Sequence, residues 1–161
     1  MASPPVRTHW LDETEQAQWR TFVHAVTDLM TDLEADLAPH GLTNGDYGVL
    51  VLLSEAPDSQ LRMCDLAAEL QLSPSGLTRR LDGLVRSGWV ERAACSHDRR
   101  VTYARLTADG RRKLDAAAPD HVDSVRRHLL EPLGPMGVEQ LCMLMGRVRE
   151  RQLADRRRAA T

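Results

Sequence analysis

The segment from Arg92 to Gly110, RAACSHDRRVTYARLTADG, places Asp98, Arg99 and Arg100 in a tight SHDRR turn between two strand-like runs. Three charges at such a tip add nothing to a core. A guanidinium carried on an extended tip suits an anion, or the negative potential of a narrow groove. Asp98 would be repelled by that anion, so its expected task is to orient a neighbouring arginine through a charge-assisted hydrogen bond. A second set lies upstream, in QLSPSGLTRRLDGLVRSGW. At 100° per residue, Leu77, Leu81, Leu84 and Val85 fall on one side of a helix. Ser75, Gly76, Arg79, Gly83 and Arg86 fall on the opposite side, flanked by Thr78, Arg80 and Asp82. Small residues there permit close approach, and guanidinium forks match phosphates and guanine edges. A helix about 10 Å across fits a DNA major groove roughly 12 Å wide, while the narrower minor groove admits one extended arginine.

These groups need a frame, and the chain supplies helices in the right order. Asp12 opens a first helix, with Glu15 in the capping-box position. Trp19, Phe22, Val23, Val26, Met30, Leu33 and Leu37 then form one apolar stripe, stopped by Pro39 and Gly41. So long a stripe fits either a partner or the chain's own domain. Thr43 caps a second helix with Asp46 three residues on. Gln60 to Met63 reads as a short strand entering a third helix. Ser73 is the next N-cap, Pro74 takes the first helical position, and Gly88 falls just past the end. The tight turn between helices three and four is a helix-turn-helix arrangement. Two strands, Trp89 to Ala94 and Val101 to Leu106, flank the charged turn. Thr107 caps a fifth helix, which Pro119 is expected to kink. LEPLGPMG reads as a firm break before a last helix whose end, ADRRRAAT, is expected to fray.

Composition narrows the classes. The 161 residues are 42% hydrophobic and 27% charged, ordinary values for one globular domain. No apolar run is long enough to span a membrane, and Met1 to Thr8 has no signal core, so neither membrane insertion nor secretion is expected. Cys64, Cys95 and Cys142 lack metal-ligand spacing and read as free thiols in a reducing cytoplasm. The net charge of −2 is unevenly spread: 1–61 carry −8, 62–113 carry +5 and 114–161 carry +1. A basic middle is the footprint of a polyanion partner. Cys95, His97 and Asp98 are too crowded on one hairpin to form an oriented catalytic set, and no phosphate-binding glycine loop is present. His121 and His128, seven apart on a helix, are about 10 Å apart and too distant for one metal. No enzyme, cofactor or metal site is expected.

The stretch LRMCDLAAELQLSPSGLTRRLDGLVRSGWVERAACSHDRRVTYARLTADG resembles the MarR family of bacterial transcriptional regulators. The most specific element is D-x-R followed by a strand ending LTxxG, matched by Asp98, Arg100, Leu106, Thr107 and Gly110. WRTFVHAVTDLM and HGLTNGDYGVLVLLSEAP resemble the first two helices of actinobacterial members, and AAAPDHVDSVRRHLLEPL their fifth. The resemblance implies a mostly α fold with a small β-hairpin wing. A winged helix-turn-helix domain (43–106) would sit on a helical dimerisation region (12–40 and 107–158), with flexible ends at 1–11 and 159–161. It implies a cytoplasmic, nucleoid-associated homodimer repressing from a pseudo-palindromic operator, its half-sites about 10 bp apart. Ser73, Ser75, Gly76, Thr78 and Arg79 would start the recognition helix in the groove, with Arg79 reading guanine. Arg80 and Arg86 would meet phosphates, and Asp98, Arg99 and Arg100 form the wing tip. Release by a small aromatic or phenolic ligand would involve Trp19, His24 and Tyr47. Gly48 stands where the urate-responsive subgroup has an aspartate, and no cysteine precedes Cys64, where the peroxide sensors place theirs. Ligand-independent DNA binding and a redox response at Cys95 are the alternatives.

Overall fold

The computed structural model describes residues 10–94 and 101–159. Cys95, His97, Asp98, Arg99 and Arg100 lie outside the described residues, so the expectations for the wing tip do too. The chain opens with α1 (Glu13–Leu37), capped reciprocally: Glu15 N donates to Asp12 Oδ1 (2.8 Å) and Asp12 N to Glu15 Oε2 (2.9 Å). A 3-10 turn follows at Ala38–His40, and Gly41 at φ 63° reverses the chain without the steric cost a side chain would add. The second capping box, Thr43 with Asp46, starts α2 (Asn44–Glu55). Asn44 locks the corner, its Nδ2 donating to Met30 O (2.8 Å) and its N to Glu34 Oε2 (3.0 Å).

The short β1 (Gln60–Arg62) leads into α3 (Met63–Glu69) and, after a four-residue turn, α4 (Pro74–Arg86). The Ser73 hydroxyl accepts from Gly76 N (3.1 Å), and Gly88 at φ 74° ends the helix, as the cap residues predict. β2 (Val90–Ala94) and β3 (Thr102–Leu106) pair antiparallel from Val90–Leu106 to Ala94–Thr102. The expected two-stranded wing gains a third strand, because β1 pairs with the other edge of β3, giving the order β1-β3-β2. Arg105 ties all three strands, Nε donating to Gln60 Oε1 (3.2 Å) and Nη1 to Glu91 Oε1 (3.1 Å).

α5 (Ala108–Val125) explains the LTxxG pattern physically. Thr107 Oγ1 accepts from Gly110 N (3.0 Å) and donates to Gly88 O (2.6 Å). A Cβ at Gly110 would strike the Trp89 carbonyl, so the helix can begin this close to the strand only on a glycine. α5 runs through Pro119 and continues as a π turn over Arg126–Leu130 into α6 (Glu131–Ala159). The break expected at LEPLGPMG therefore contracts to one residue, Gly134, at φ 64° and ψ 171°. Glycine takes that conformation freely, and Pro135 with its fixed φ restarts the helix. The tip expected to fray is instead helical to Ala159.

The core runs from Leu37 to Ala117 and centres on Leu50, Leu53, Leu66, Leu77, Leu81 and Leu84, all buried. Each such leucine stabilises the fold by about 1.5–3 kcal/mol relative to exposure. It welds α2, α3, α4 and the sheet into one rigid head from which α4 and the wing project. Among the described residues no helix is long and apolar enough to cross a membrane.

Candidate nucleic-acid interface

α4 has the two faces its sequence predicts. Leu77, Leu81 and Leu84 are buried, while Ser73, Ser75, Thr78, Arg79 and Arg86 are exposed and Gly76 half-buried. The first turn presents hydroxyls: Ser73 Oγ and Ser75 Oγ lie 3.2 Å apart, and Thr78 Oγ1 donates to Pro74 O (2.9 Å). Gly83 opens onto empty space, so nothing in the chain obstructs approach at mid-helix. Among the described residues, Arg79 and Arg86 make no hydrogen bond or ion pair, which leaves their guanidiniums available to a partner.

Arg80, one residue on, turns inward. Its Nη1 donates to Thr43 Oγ1 (3.4 Å) and sits 3.5 Å from Asp46 Oδ1, so it braces α4 against the first turn of α2. A side chain at Gly45 would collide with that guanidinium. Sequence reading gave Arg80 a phosphate; here its side chain is 32% exposed and paired with Asp46 and Thr43. The only local hint is Gly45 in a helical first turn, where glycine has no capping role.

The wing is tied to α4 by Arg92, whose Nη2 donates to Asp82 Oδ1 (2.8 Å) and Thr78 O (3.4 Å). This bridge sets the angle between helix and hairpin, and pattern reading missed it. Beneath it opens a cavity of about 440 Å³ with mainly apolar walls, bounded by Met63, Cys64, Thr78, Val101 and the guanidinium-bearing Arg62 and Arg92. Arg62 Nε donates to Tyr103 Oη (3.4 Å), and this contact holds the guanidinium more firmly protonated than usual.

Trp19, His24 and Tyr47 are not brought together within one chain. Trp19 packs on Phe22, ring centroids 5.9 Å apart, and His24 is exposed on α1. Tyr47 packs on His121 at 4.2 Å. The neighbouring Asp120 meets His40 at 2.7 Å, beyond the end of α1. Asn44, three residues before Tyr47, donates to Met30 O, which lies about 16 Å of helix beyond Trp19. His128 has separate neighbours, Asp32 (3.4 Å) and Asp36 (3.7 Å). Cys64 and Cys142 are exposed thiols.

Residues 40–101 match the MarR family. AbsC, a MarR family transcriptional regulator from Streptomyces coelicolor, superposes with a TM-score of 0.87 at 38% identity, over 91% of this chain and 99% of its own. Sco3205, a MarR family regulator from the same organism solved in complex with DNA, gives 0.85 at 35% identity, over 91% and 92%. The transcriptional repressor YetL of Bacillus subtilis (strain 168) is 32% identical over 93 residues, which make up 58% of this chain. The match spans 56% of YetL's own length. These relatives are regulators of transcription and not enzymes. Helix, turn, helix and three-stranded wing, alike in order and geometry over nearly the whole length, place the chain in the MarR family of transcriptional regulators.

Proposed function

We propose that the chain works as a homodimeric repressor on a pseudo-palindromic operator, in the cytoplasm and associated with the nucleoid. The outward face of α4 carries this reading: hydroxyls at its N-terminus and an Arg79 without a partner among the described residues, beside open space at Gly83. Ser73, Ser75, Gly76, Thr78 and Arg79 enter the major groove, and Arg86 takes a phosphate at the rim. Arg80 contributes by holding α4 on α2. Arg99 and Arg100 at the wing tip, oriented by Asp98, reach the adjacent minor groove. The apolar residues exposed on α1, among them Trp19, Phe22, Val26 and Met30, with Leu144 and Val148 of α6, form the dimer surface. Two copies then present two heads one helical turn apart. The dimer region takes 12–40 and 107–158, and the head 43–106.

The test uses an operator selected by the protein from random DNA. Arg79→Ala should weaken binding by about 1–3 kcal/mol and relax selectivity at one position of each half-site. Arg100→Ala should weaken it by a similar amount where A·T-rich DNA flanks the site. Gel-shift affinities unchanged by either variant remove that residue from the interface.

The cavity under the wing favours regulation by an aromatic acid. Arg62 and Arg92 flank apolar walls, as a ring bearing a carboxylate requires. A ligand there competes with Asp82 for Arg92 and loosens the hairpin from α4. Trp19, His24 and Tyr47, which one chain does not bring together, are the candidate contacts for a ligand held between the two copies. Aromatic carboxylates should raise the melting temperature and free the operator, both effects vanishing in Arg92→Gln. A panel that does neither leaves ligand-independent binding.

A further inference from the structure

The last helix ends on three consecutive arginines, Arg156, Arg157 and Arg158, and residues 147–158 hold six arginines against two acids. A charged helix tip is ordinarily a solvated, fraying end. This one is anchored. Arg156 Nη1 and Nη2 each donate to Gln71 Oε1, both at 3.1 Å. Gln71 stands at φ 53° in the turn between α3 and α4, two residues before Ser73. A cleft of about 210 Å³ separates Ala68 and Glu69 at the end of α3 from Arg149, Gln152 and Leu153 of α6, and the Arg156 fork closes it. The tip of α6 is therefore docked on the helix-turn-helix itself.

We propose that this arginine tip is a further DNA contact, taking phosphates on the ridge beside the groove that α4 enters. The inference rests on the placement of α4 given above. Two residues of chain put Ser73 within about 7 Å of Gln71, so a cation docked at Gln71 stands beside the first turn of α4. The major groove is roughly 12 Å wide, and a helix end seated in it has a phosphate ridge within a similar distance. Arg156 spends two of its five N–H donors on Gln71 and keeps the others. Arg158, two residues further on, is exposed. Arg151 is committed to Asp155 (3.1 Å) and stays out of the contact. Phosphate contacts are blind to sequence, so the tip adds affinity and salt dependence, and no selectivity.

The experiment titrates the full-length protein against two duplexes, one selected from random DNA and one scrambled, over a range of salt. Arg158→Gln removes one phosphate contact per chain. It should weaken binding to both duplexes alike, on the order of tenfold near 0.1 M salt, and lower the slope of log K against log salt by about 2 per dimer. Arg158→Lys keeps the charge and should keep the slope. Gln71→Ala unpins the tip and should lower the slope in the same direction. An unchanged slope in Arg158→Gln, or a loss confined to the selected duplex, overturns the contact and reduces the Arg156–Gln71 pair to a brace. Arg79→Ala reports the placement of α4 separately, because it should reduce the preference for the selected duplex, through one position of each half-site, at nearly constant slope. A preference unchanged in Arg79→Ala overturns that placement and this contact with it. A preference reduced there, with the slope unchanged in Arg158→Gln, overturns the α6 contact alone.

Discussion

From Leu37 to Ala117 the apolar side chains close on one another: Leu50, Leu53, Leu66 and Leu81 are 0% exposed. Along the first half of α1 and along α6 the same kind of stripe stays open, with Trp19 56%, Met143 52% and Val148 48% exposed. Both regions are amphipathic helices, so patterning does not separate them. The difference lies in the turns. Within the head, short connections fold each helix back on its predecessor, and the leucines find partners in the same chain. α1 meets the head towards its C-terminal end, where Leu33 and Leu37 are buried, and α6 follows a π turn whose Arg127 and His128 pair with Asp36 and Asp32 of α1. An amphipathic stripe demands cover, but the connection decides whether that cover comes from the same chain.

The contrast breaks most sharply at α6. Leu144→Glu with Val148→Glu places two charges on the proposed dimer face. The protein should sediment as a monomer, and affinity for a two-half-site duplex should fall by about 10²–10⁴-fold, because the second head loses its tether. A dimer that survives both charges would move the interface elsewhere. Leu81→Ala attacks the other region. It should lower stability by about 2–5 kcal/mol in urea unfolding, through lost transfer energy and the cavity left behind. Below the melting point that variant should keep the assembly state of the native protein. If the two variants each cost assembly and stability together, the regions are not separable and the comparison fails.

Local chemistry is what the sequence displayed. Asp12, Thr43, Ser73 and Thr107 cap their helices as read, since cap and partner lie three residues apart. The outward side of α4 was legible for the same reason, because one helix determines it. Contacts between distant segments were not. The pairing of β1 with β3 joins Gln60 to Arg105. Arg80 sits on the flank of its helical wheel, and only the position of α2 decides that it turns inward. Arg92 finds Asp82 because β2 folds back beside α4. That Tyr47 packs on His121 of α5, away from Trp19, follows from the antiparallel run of α5 along α1. The arginine tip had no local reason to stay helical, and its anchor at Gln71 is 85 residues away in sequence.

The gentlest test lies where the two regions meet. His121 of α5 packs on Tyr47 of α2, and burial pushes its pKa below the usual 6.5. Its Nδ1 is buried without a hydrogen-bond partner among the described residues. Above pH 6.5 the ring is neutral in both folded and unfolded chains and carries no penalty. As pH falls through 6.5 the unfolded chain takes the proton first, so stability declines until the folded ring also protonates. Asp36, at the contact of α1 with the π turn, behaves differently. The Ser124 hydroxyl, with Arg127 and His128, holds its carboxyl below the usual 3.8, so its contribution persists above that pH and is lost only in stronger acid. Acid unfolding should therefore weaken the protein in two stages. His121→Leu should flatten the first and leave the second, and Asp36→Asn should do the reverse, both with smaller effects than Leu81→Ala. Melting temperatures recorded between pH 7 and pH 3 separate them. A first stage that persists in His121→Leu would assign it to another group and detach the head–helix junction from the pH response.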